Sequence, residues 1–76
     1  MKKALEYIIT SIVDDPKSVE IREEEDNGVV NLFIRAGKDD VGKIIGKEGK
    51  IIKAIRNVLK IIAIKENKRI FVSLEE

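Results

Sequence analysis

A glycine-bounded turn with lysines in and beside it is the stretch of the sequence best suited to binding chemistry. The turn is Gly46-Lys47-Glu48-Gly49, and Lys43, Lys50 and Lys53 lie within four residues of it. Because glycine has no Cβ, a nucleic acid backbone can approach the chain closely here, and lysines attract its phosphates. The N–H groups at the start of a following helix favour the same ligand. The alternative is a plain helix-helix turn that needs only a permissive backbone.

The residue types that most enzymes and zinc sites require are missing. The sequence contains neither cysteine nor histidine. Their absence removes thiolate zinc sites, the commonest general base and the nucleophile pairs that include histidine. Since no other constellation of residues suggests catalysis, we expect a binding protein that is not an enzyme and has no cofactor or metal. The lack of cysteine also fits a reducing, cytoplasmic location.

Charge is distributed unevenly along the chain. The formal net charge is +1, but residues 14–27 carry seven acids against two bases, and residues 38–69 carry ten bases against four acids. The basic half contains the glycine turn, which favours an anionic partner. No apolar run reaches the roughly 18 residues that cross a membrane, so we expect no membrane contact.

Six predicted elements position the turn. Apolar residues recur at helical spacing as far as Val13 and predict a helix over about 2–13, which ends before Pro16. Residues 18–25 and 29–36 are predicted to be the two strands of an antiparallel hairpin, joined at Asp26-Asn27-Gly28. A short helix to about Ile45, a long helix over about 50–64 and a strand over 70–74 follow.

The second strand and the long helix are expected to form most of the core. We assign to it one face of the strand and one broad stripe of the helix, comprising Val30, Leu32, Ile34 and Ala36 with Ile51, Ile52, Ile55, Val58, Leu59 and Ile62. Asp39 or Asp40 is expected to cap the short helix. A chain of 76 residues has material for two layers only, so three helices should cover one face of a three-stranded mixed sheet.

A second glycine pattern, from Gly37 to Ile44, matches a phosphate-binding P-loop except at its last position. It follows a predicted strand, as a P-loop does. Ile44, however, stands where a P-loop needs the hydroxyl that binds magnesium, and Asp39 and Asp40 would face the phosphates. We therefore set aside the nucleotide-hydrolysing interpretation.

The glycine turn and its neighbours resemble the signature of the KH domain. An apolar pair, Ile44-Ile45, precedes the turn, and Ile52 stands three residues after its second glycine, as around the GXXG loop of that family. The additional helix and strand before this motif are similar to the type II arrangement. The resemblance implies an α+β, type II KH fold of order α-β-β-α-α-β, in which residues 1–76 form a single KH domain.

The whole chain is similar to the small bacterial single-KH proteins of the KhpA type, most closely over residues 40–47, 49–56 and 65–69. The resemblance implies non-catalytic, chaperone-like binding of single-stranded RNA with modest sequence specificity, and a second, larger RNA-binding protein as partner. By motif position the loop from Gly46 to Gly49 contacts the RNA backbone, and Ile45 and Ile52 line an apolar groove. The predicted RNA site, with the neighbouring lysines added, is Lys43, Ile45, Gly46, Lys47, Glu48, Gly49, Lys50, Ile52 and Lys53. Within it, Glu48 should weaken binding by repelling phosphates.

Four apolar residues fall outside the predicted core. Ile61 and Ile64 lie on the polar side of the long helix, and Phe33 and Phe71 lie on the sheet face away from the helices. Our preferred interpretation is a homodimer contact through Ile61 and Ile64, with the outer sheet face second. Base stacking is a further alternative for the phenylalanines. These residues motivate the alternative function, a dimerising interaction subunit whose RNA contact is secondary.

Overall fold

The computed structural model describes residues 1–75 and has the predicted α+β order. The helices are α1 (Lys2–Ile12), α2 (Lys38–Ile45) and α3 (Lys50–Lys65), and the strands are β1 (Glu20–Asp26), β2 (Val29–Arg35) and β3 (Arg69–Glu75). Short 3₁₀ turns at Pro16–Ser18 and Lys47–Gly49 complete the connections. Over the same residues, no helix combines the length and apolarity that a membrane crossing requires.

The sheet is mixed, with β2 in the centre. β2 pairs antiparallel with β1 and parallel with β3, which confirms the predicted hairpin and crossover. Asn27 and Gly28 form the hairpin turn with φ angles of 51° and 77°, the left-handed values that a tight turn of this kind requires. β1 is exposed along nearly its whole length, as predicted for an edge strand, whereas β2 alternates between buried and half-buried residues.

The core lies between the inner sheet face and the three helices. It includes the predicted Val30, Leu32 and Ile34 of β2, all fully buried, against Leu5 and Ile9 of α1. The residues that α3 buries are Ile52, Ile55, Leu59 and Ala63.

The predicted core stripe of α3 is wrong at two positions. Ile51 and Val58 are 37% and 47% exposed, and Ala63, which we had not assigned to the core, is 1% exposed. The buried positions of α3 follow one another at steps of three or four residues, which is a single narrow stripe. Because α3 shares one small sheet face with α1 and α2, that face cannot cover the broad stripe that the sequence suggests.

The predicted capping role of Asp39 or Asp40 is also wrong. Gly37 is the N-cap of α2, and no side chain caps the helix. The Asp40 carboxylate is buried, 3% exposed, and accepts hydrogen bonds from the backbone N–H groups of Asp14 and Asp15, each at 3.0 Å. Asp40 therefore fastens the segment after α1 to α2, the helix that leads into the glycine turn.

Candidate nucleic-acid interface

Three of the four residues in the Gly46–Gly49 loop have a positive φ. Gly46 has φ 74° and ψ 177°, Glu48 has φ 57°, and Gly49 has φ 74° and ψ 15°. The Gly46 conformation is essentially restricted to glycine, because a Cβ would collide with the neighbouring backbone. The loop is therefore a sharply defined turn between α2 and α3 rather than a continuous helix.

Gly46 is also required by packing, whereas Gly49 is not. A Cβ on Gly46 would lie 2.5 Å from Cγ1 of Ile51, but a Cβ on Gly49 would have no neighbour within 4 Å. Ile51, which fails to reach the core, thus packs over the first glycine of the loop. The side of the loop at Gly49 is open to an approaching ligand.

Helix α3 presents its N-terminus directly after this open glycine. Gly49 is the N-cap, no side chain caps the helix, and no acid lies in its first turn. The first N–H groups of α3 and its positive dipole end can therefore receive an anion. Lys47, Lys50 and Lys53 are exposed around this end, and no ion pair within residues 1–75 engages them.

Lys43 is placed differently from the other predicted lysines. Its ammonium donates to the carboxylate of Asp14 and lies 3.8 Å from Oδ1 of Asp40. The hydrogen bond to Asp14 raises the pKa of Lys43, and hydrogen bonds from the Asp14 and Asp15 N–H groups, aided by Lys43, lower the pKa of Asp40. A phosphate would have to compete with two carboxylates for this ammonium.

The two predicted groove isoleucines differ in exposure. Ile45 is half-buried at the end of α2, so part of its side chain is accessible beside the loop. Ile52 is 8% exposed and belongs to the core. Ile45 thus offers a partly accessible apolar surface beside the loop, whereas Ile52 supports the first turn of α3 from beneath.

A groove that the sequence analysis did not identify lies between α3 and β3. Its cavity has a volume of about 650 Å³ and combines four basic side chains with apolar ones, and no acidic residue lines it. The lining residues are Arg56, Asn57, Lys60, Ile64, Lys68, Arg69, Ile70, Phe71 and Val72. Lys68 also pairs with Glu25 at 3.1 Å, and that hydrogen bond raises the pKa of Lys68. We call this cavity the α3–β3 groove.

The α3–β3 groove and the glycine loop are separate features joined along one face of α3. No loop residue lines the groove. Lys53 stands three residues before Arg56 and seven before Lys60, so the three side chains share one helix face that runs from the loop to the groove. This spacing was visible in the sequence, but the packing of β3 alongside that face was not.

Ile61 and Ile64, which we predict to form a dimer contact, are both exposed but differ in their relation to the groove. Ile64 is 64% exposed and lines the α3–β3 groove. Ile61 is 59% exposed, does not line the groove and lies in a row with Val58 and Ile51 along α3. We call that row the apolar ridge of α3.

A family model described as the KhpA/KhpB KH domain matches residues 2–74. The chain belongs to the KhpA/KhpB family of KH domains. This confirms the resemblance to the KH domain inferred from the sequence. The family is one of binding domains, and the chain is not an enzyme.

Curated relatives match this KH domain over nearly its full length. The RNA-binding protein KhpA of Clostridium acetobutylicum is 45% identical over 74 residues, which cover 97% of the chain and 99% of the relative. The RNA-binding protein KhpA of Chlamydia pneumoniae is 42% identical over 76 residues, covering 100% of the chain and 97% of the relative. That of Oceanobacillus iheyensis is 40% identical over 74 residues, 97% of the chain and 99% of the relative. No solved structure matches the chain.

Proposed function

We propose that this KH domain binds single-stranded RNA, with the phosphodiester backbone held at the Gly46–Gly49 loop and the bases along the adjoining face of α3. Three relatives that match nearly the whole chain carry the name RNA-binding protein. The observation that carries the proposal is the uncapped N-terminus of α3 directly after Gly49, surrounded by three lysines that the described structure leaves outside its ion pairs. Positive charge and unoccupied N–H groups at an open turn suit a phosphate backbone.

The residues in and around the loop have different roles in this proposal. Lys47, Lys50 and Lys53 neutralise phosphates as exposed point charges. Gly46 and Gly49 set the backbone that brings the strand close, and Ile45 gives a base an apolar contact. Lys43 contributes less, because Asp14 and Asp40 already hold its ammonium.

Specificity in this proposal is modest. A KH groove holds about four nucleotides, so few bases are read. A short reading length and an electrostatic grip suit a protein that binds many RNAs weakly, which is the chaperone-like role that the family resemblance implies. The expected cytoplasmic location is part of the same proposal.

Replacing both Lys47 and Glu48 by aspartate tests the loop. Lys47→Asp with Glu48→Asp changes the local charge by two units, and aspartate tolerates the left-handed φ at position 48. We expect filter binding of a single-stranded RNA to be lost while the far-ultraviolet circular dichroism spectrum stays that of wild type. Unchanged RNA binding in a folded double variant would exclude the loop as the site.

The single variant Glu48→Gln should act in the opposite direction. Glu48 is exposed in the loop and outside the ion pairs of the described residues, so its charge opposes the approaching phosphates. Removing that charge should tighten RNA binding about 2- to 5-fold, the scale of one exposed charge interaction. The same filter assay at low salt measures it, and weaker binding would show that Glu48 assists recognition.

The second candidate function is a dimerising interaction subunit whose RNA contact is secondary. The apolar ridge of α3 favours it, because Val58 and Ile61 are 47% and 59% exposed and lie outside the stripe that the helix buries. Exposed apolar side chains in a row on one helix form a surface that another chain can cover. The partner in this candidate is a second copy or a larger RNA-binding protein. It is compatible with RNA binding at the loop, which lies at the start of the same helix.

A further inference from the structure

Phe71 stands where the α3–β3 groove meets the outer face of the sheet. β3 is an edge strand, and four consecutive residues of it, 69–72, line the groove. Val72 is buried under the helices, whereas Phe71 is 56% exposed. Since successive side chains of a strand point to opposite faces, the Phe71 ring stands on the outer face of the sheet. The edge of β3 at Phe71 borders the groove.

The other outer-face phenylalanine is already covered. The guanidinium of Arg22 lies 4.5 Å from the centroid of the Phe33 ring, and Phe33 is half-buried. Within residues 1–75 this is the only such cation–ring contact, so the Phe71 ring has no cation stacked on it. Of the two rings, Phe71 has a face free for a ligand.

The positive charge around Phe71 favours binding of an RNA strand, which is anionic. Arg69 precedes it by two residues on the same face of β3, and Arg56 and Lys60 line the groove that it borders. The nearest acids on the outer face lie on β1, where Glu24 pairs with Asn31 and Asp26 with Val29. β1 lies beyond β2, and two strand spacings separate it from β3 by about 10 Å.

We propose that Phe71 is a stacking platform for one nucleobase beyond the segment held at the loop and groove. Single-stranded RNA that leaves the groove across the edge of β3 lays its next base on the Phe71 ring and brings its phosphate beside Arg69. Every base has a π-face, so this contact lengthens the binding site without adding sequence specificity. The inference rests on the proposed function, because the groove must first direct the RNA to β3.

Oligouridines of two lengths test the platform. A tetramer matches the roughly four nucleotides of a KH groove, and an octamer extends beyond it. Phe71→Ala should weaken octamer binding about 5-fold or more and weaken tetramer binding by a smaller factor, because only the longer RNA extends across the ring. Phe71→Tyr should bind both as wild type does. Tyr7→Ala is the matched control, since Tyr7 is an aromatic residue that is 70% exposed on α1.

A crosslinking scan locates the contact directly. Each position of the octamer in turn carries 5-iodouridine, which crosslinks on irradiation to an aromatic side chain stacked against it. Mass spectrometry should find Phe71 crosslinked from a position beyond the tetramer footprint, and Phe71→Ala should lose that product. An octamer affinity unaffected by Phe71→Ala, or an equal loss with the tetramer, would overturn the platform.

Two further outcomes separate this proposal from the function on which it rests. If wild-type protein binds neither oligouridine, the RNA-binding proposal fails and the platform fails with it. If wild type binds both but Phe71→Ala changes only the sedimentation coefficient, Phe71 contacts a second copy of the chain, and the platform alone is overturned.

Discussion

Gly46 and Gly49 bound the same loop but depend on glycine for different reasons. Gly46 combines a nearly glycine-only conformation with a side chain, Ile51, that already fills the position of a Cβ. Gly49 has a left-handed conformation and open space around it. Substitutions at the two positions should therefore lower the free energy of unfolding by different amounts.

We expect Gly46→Ala to lower the free energy of unfolding by about 2–4 kcal/mol, through backbone strain and the displacement of Ile51. Gly49→Ala should cost about 1–2 kcal/mol, the penalty of a left-handed alanine alone. Urea denaturation of both variants measures the difference. Equal losses would show that Ile51 moves aside freely and that packing over Gly46 contributes nothing.

At the scale of elements, Asp40 links α2 to the segment after α1. Backbone N–H groups of Asp14 and Asp15 lower the pKa of the Asp40 carboxyl, with a contribution from Lys43. A carboxyl whose pKa is lower in the folded protein stabilises it at pH values above the unfolded value of about 3.9. That stabilisation is lost as the pH falls through the folded pKa.

Asp40→Asn should therefore melt at a lower temperature than wild type near neutral pH, and the gap between the two should narrow as the pH falls below about 4. The Asp14 and Asp15 N–H groups face different oxygens of the carboxylate, so asparagine in this position accepts from one of them and turns its NH₂ donor toward the other. Thermal melts over this pH range measure the effect. Asp39→Asn is the matched control, because Asp39 is exposed in the same first turn of α2. If the difference in melting temperature between Asp40→Asn and wild type is independent of pH, the charge of the Asp40 carboxylate is not its source.

Helix α3 places two exposed isoleucines against different surfaces, and aspartate substitutions should separate their roles. Ile61→Asp puts a charge on the apolar ridge and should shift the protein toward monomer in sedimentation velocity, with RNA binding retained. Ile64→Asp puts a negative charge into the basic α3–β3 groove and should weaken RNA binding without changing the mass. If Ile61→Asp has the same mass as wild type, the apolar ridge is not the dimer contact. If only Ile64→Asp dissociates the dimer, the dimer contact lies in the α3–β3 groove.

At the scale of the molecule, acidic residues concentrate at one edge of the sheet and basic residues at the other, and the Lys68–Glu25 ion pair joins the two groups. β1 carries Glu23, Glu24 and Glu25, whereas β3 and α3 enclose the basic groove at the other edge. A protein with charge separated in this way orients an RNA before contact, and its affinity depends strongly on salt.

Two lysines of α3 test where the RNA runs. Lys60 lines the groove, whereas Lys65 is about 140° away around the helix at 100° per residue and does not line it. Lys60→Gln should reduce the slope of log affinity against log salt by about 0.7, the value for one phosphate contact with a single strand. Lys65→Gln should leave the slope unchanged. Equal slopes for wild type and Lys60→Gln would place the strand away from the groove.

The sequence by itself determined the local elements and the place of the loop. Asn27-Gly28 predicted the hairpin turn, the β-branched and large apolar residues over 29–36 predicted the second strand, and the pattern around Gly46 and Gly49 led to the KH-domain resemblance. These features depend on residues close together in the chain, because turn conformation and apolar periodicity are local properties.

Only the tertiary structure decided which predicted side chains are available to a ligand. The sequence could not show that Asp40 bonds the N–H of Asp14, 26 residues away, or that Lys43 is paired there. Nor could it show that Ile51 leaves the core to cover Gly46, or that β3 encloses a basic groove with α3. These contacts join residues far apart in the chain, and their formation depends on how three helices share one small sheet face.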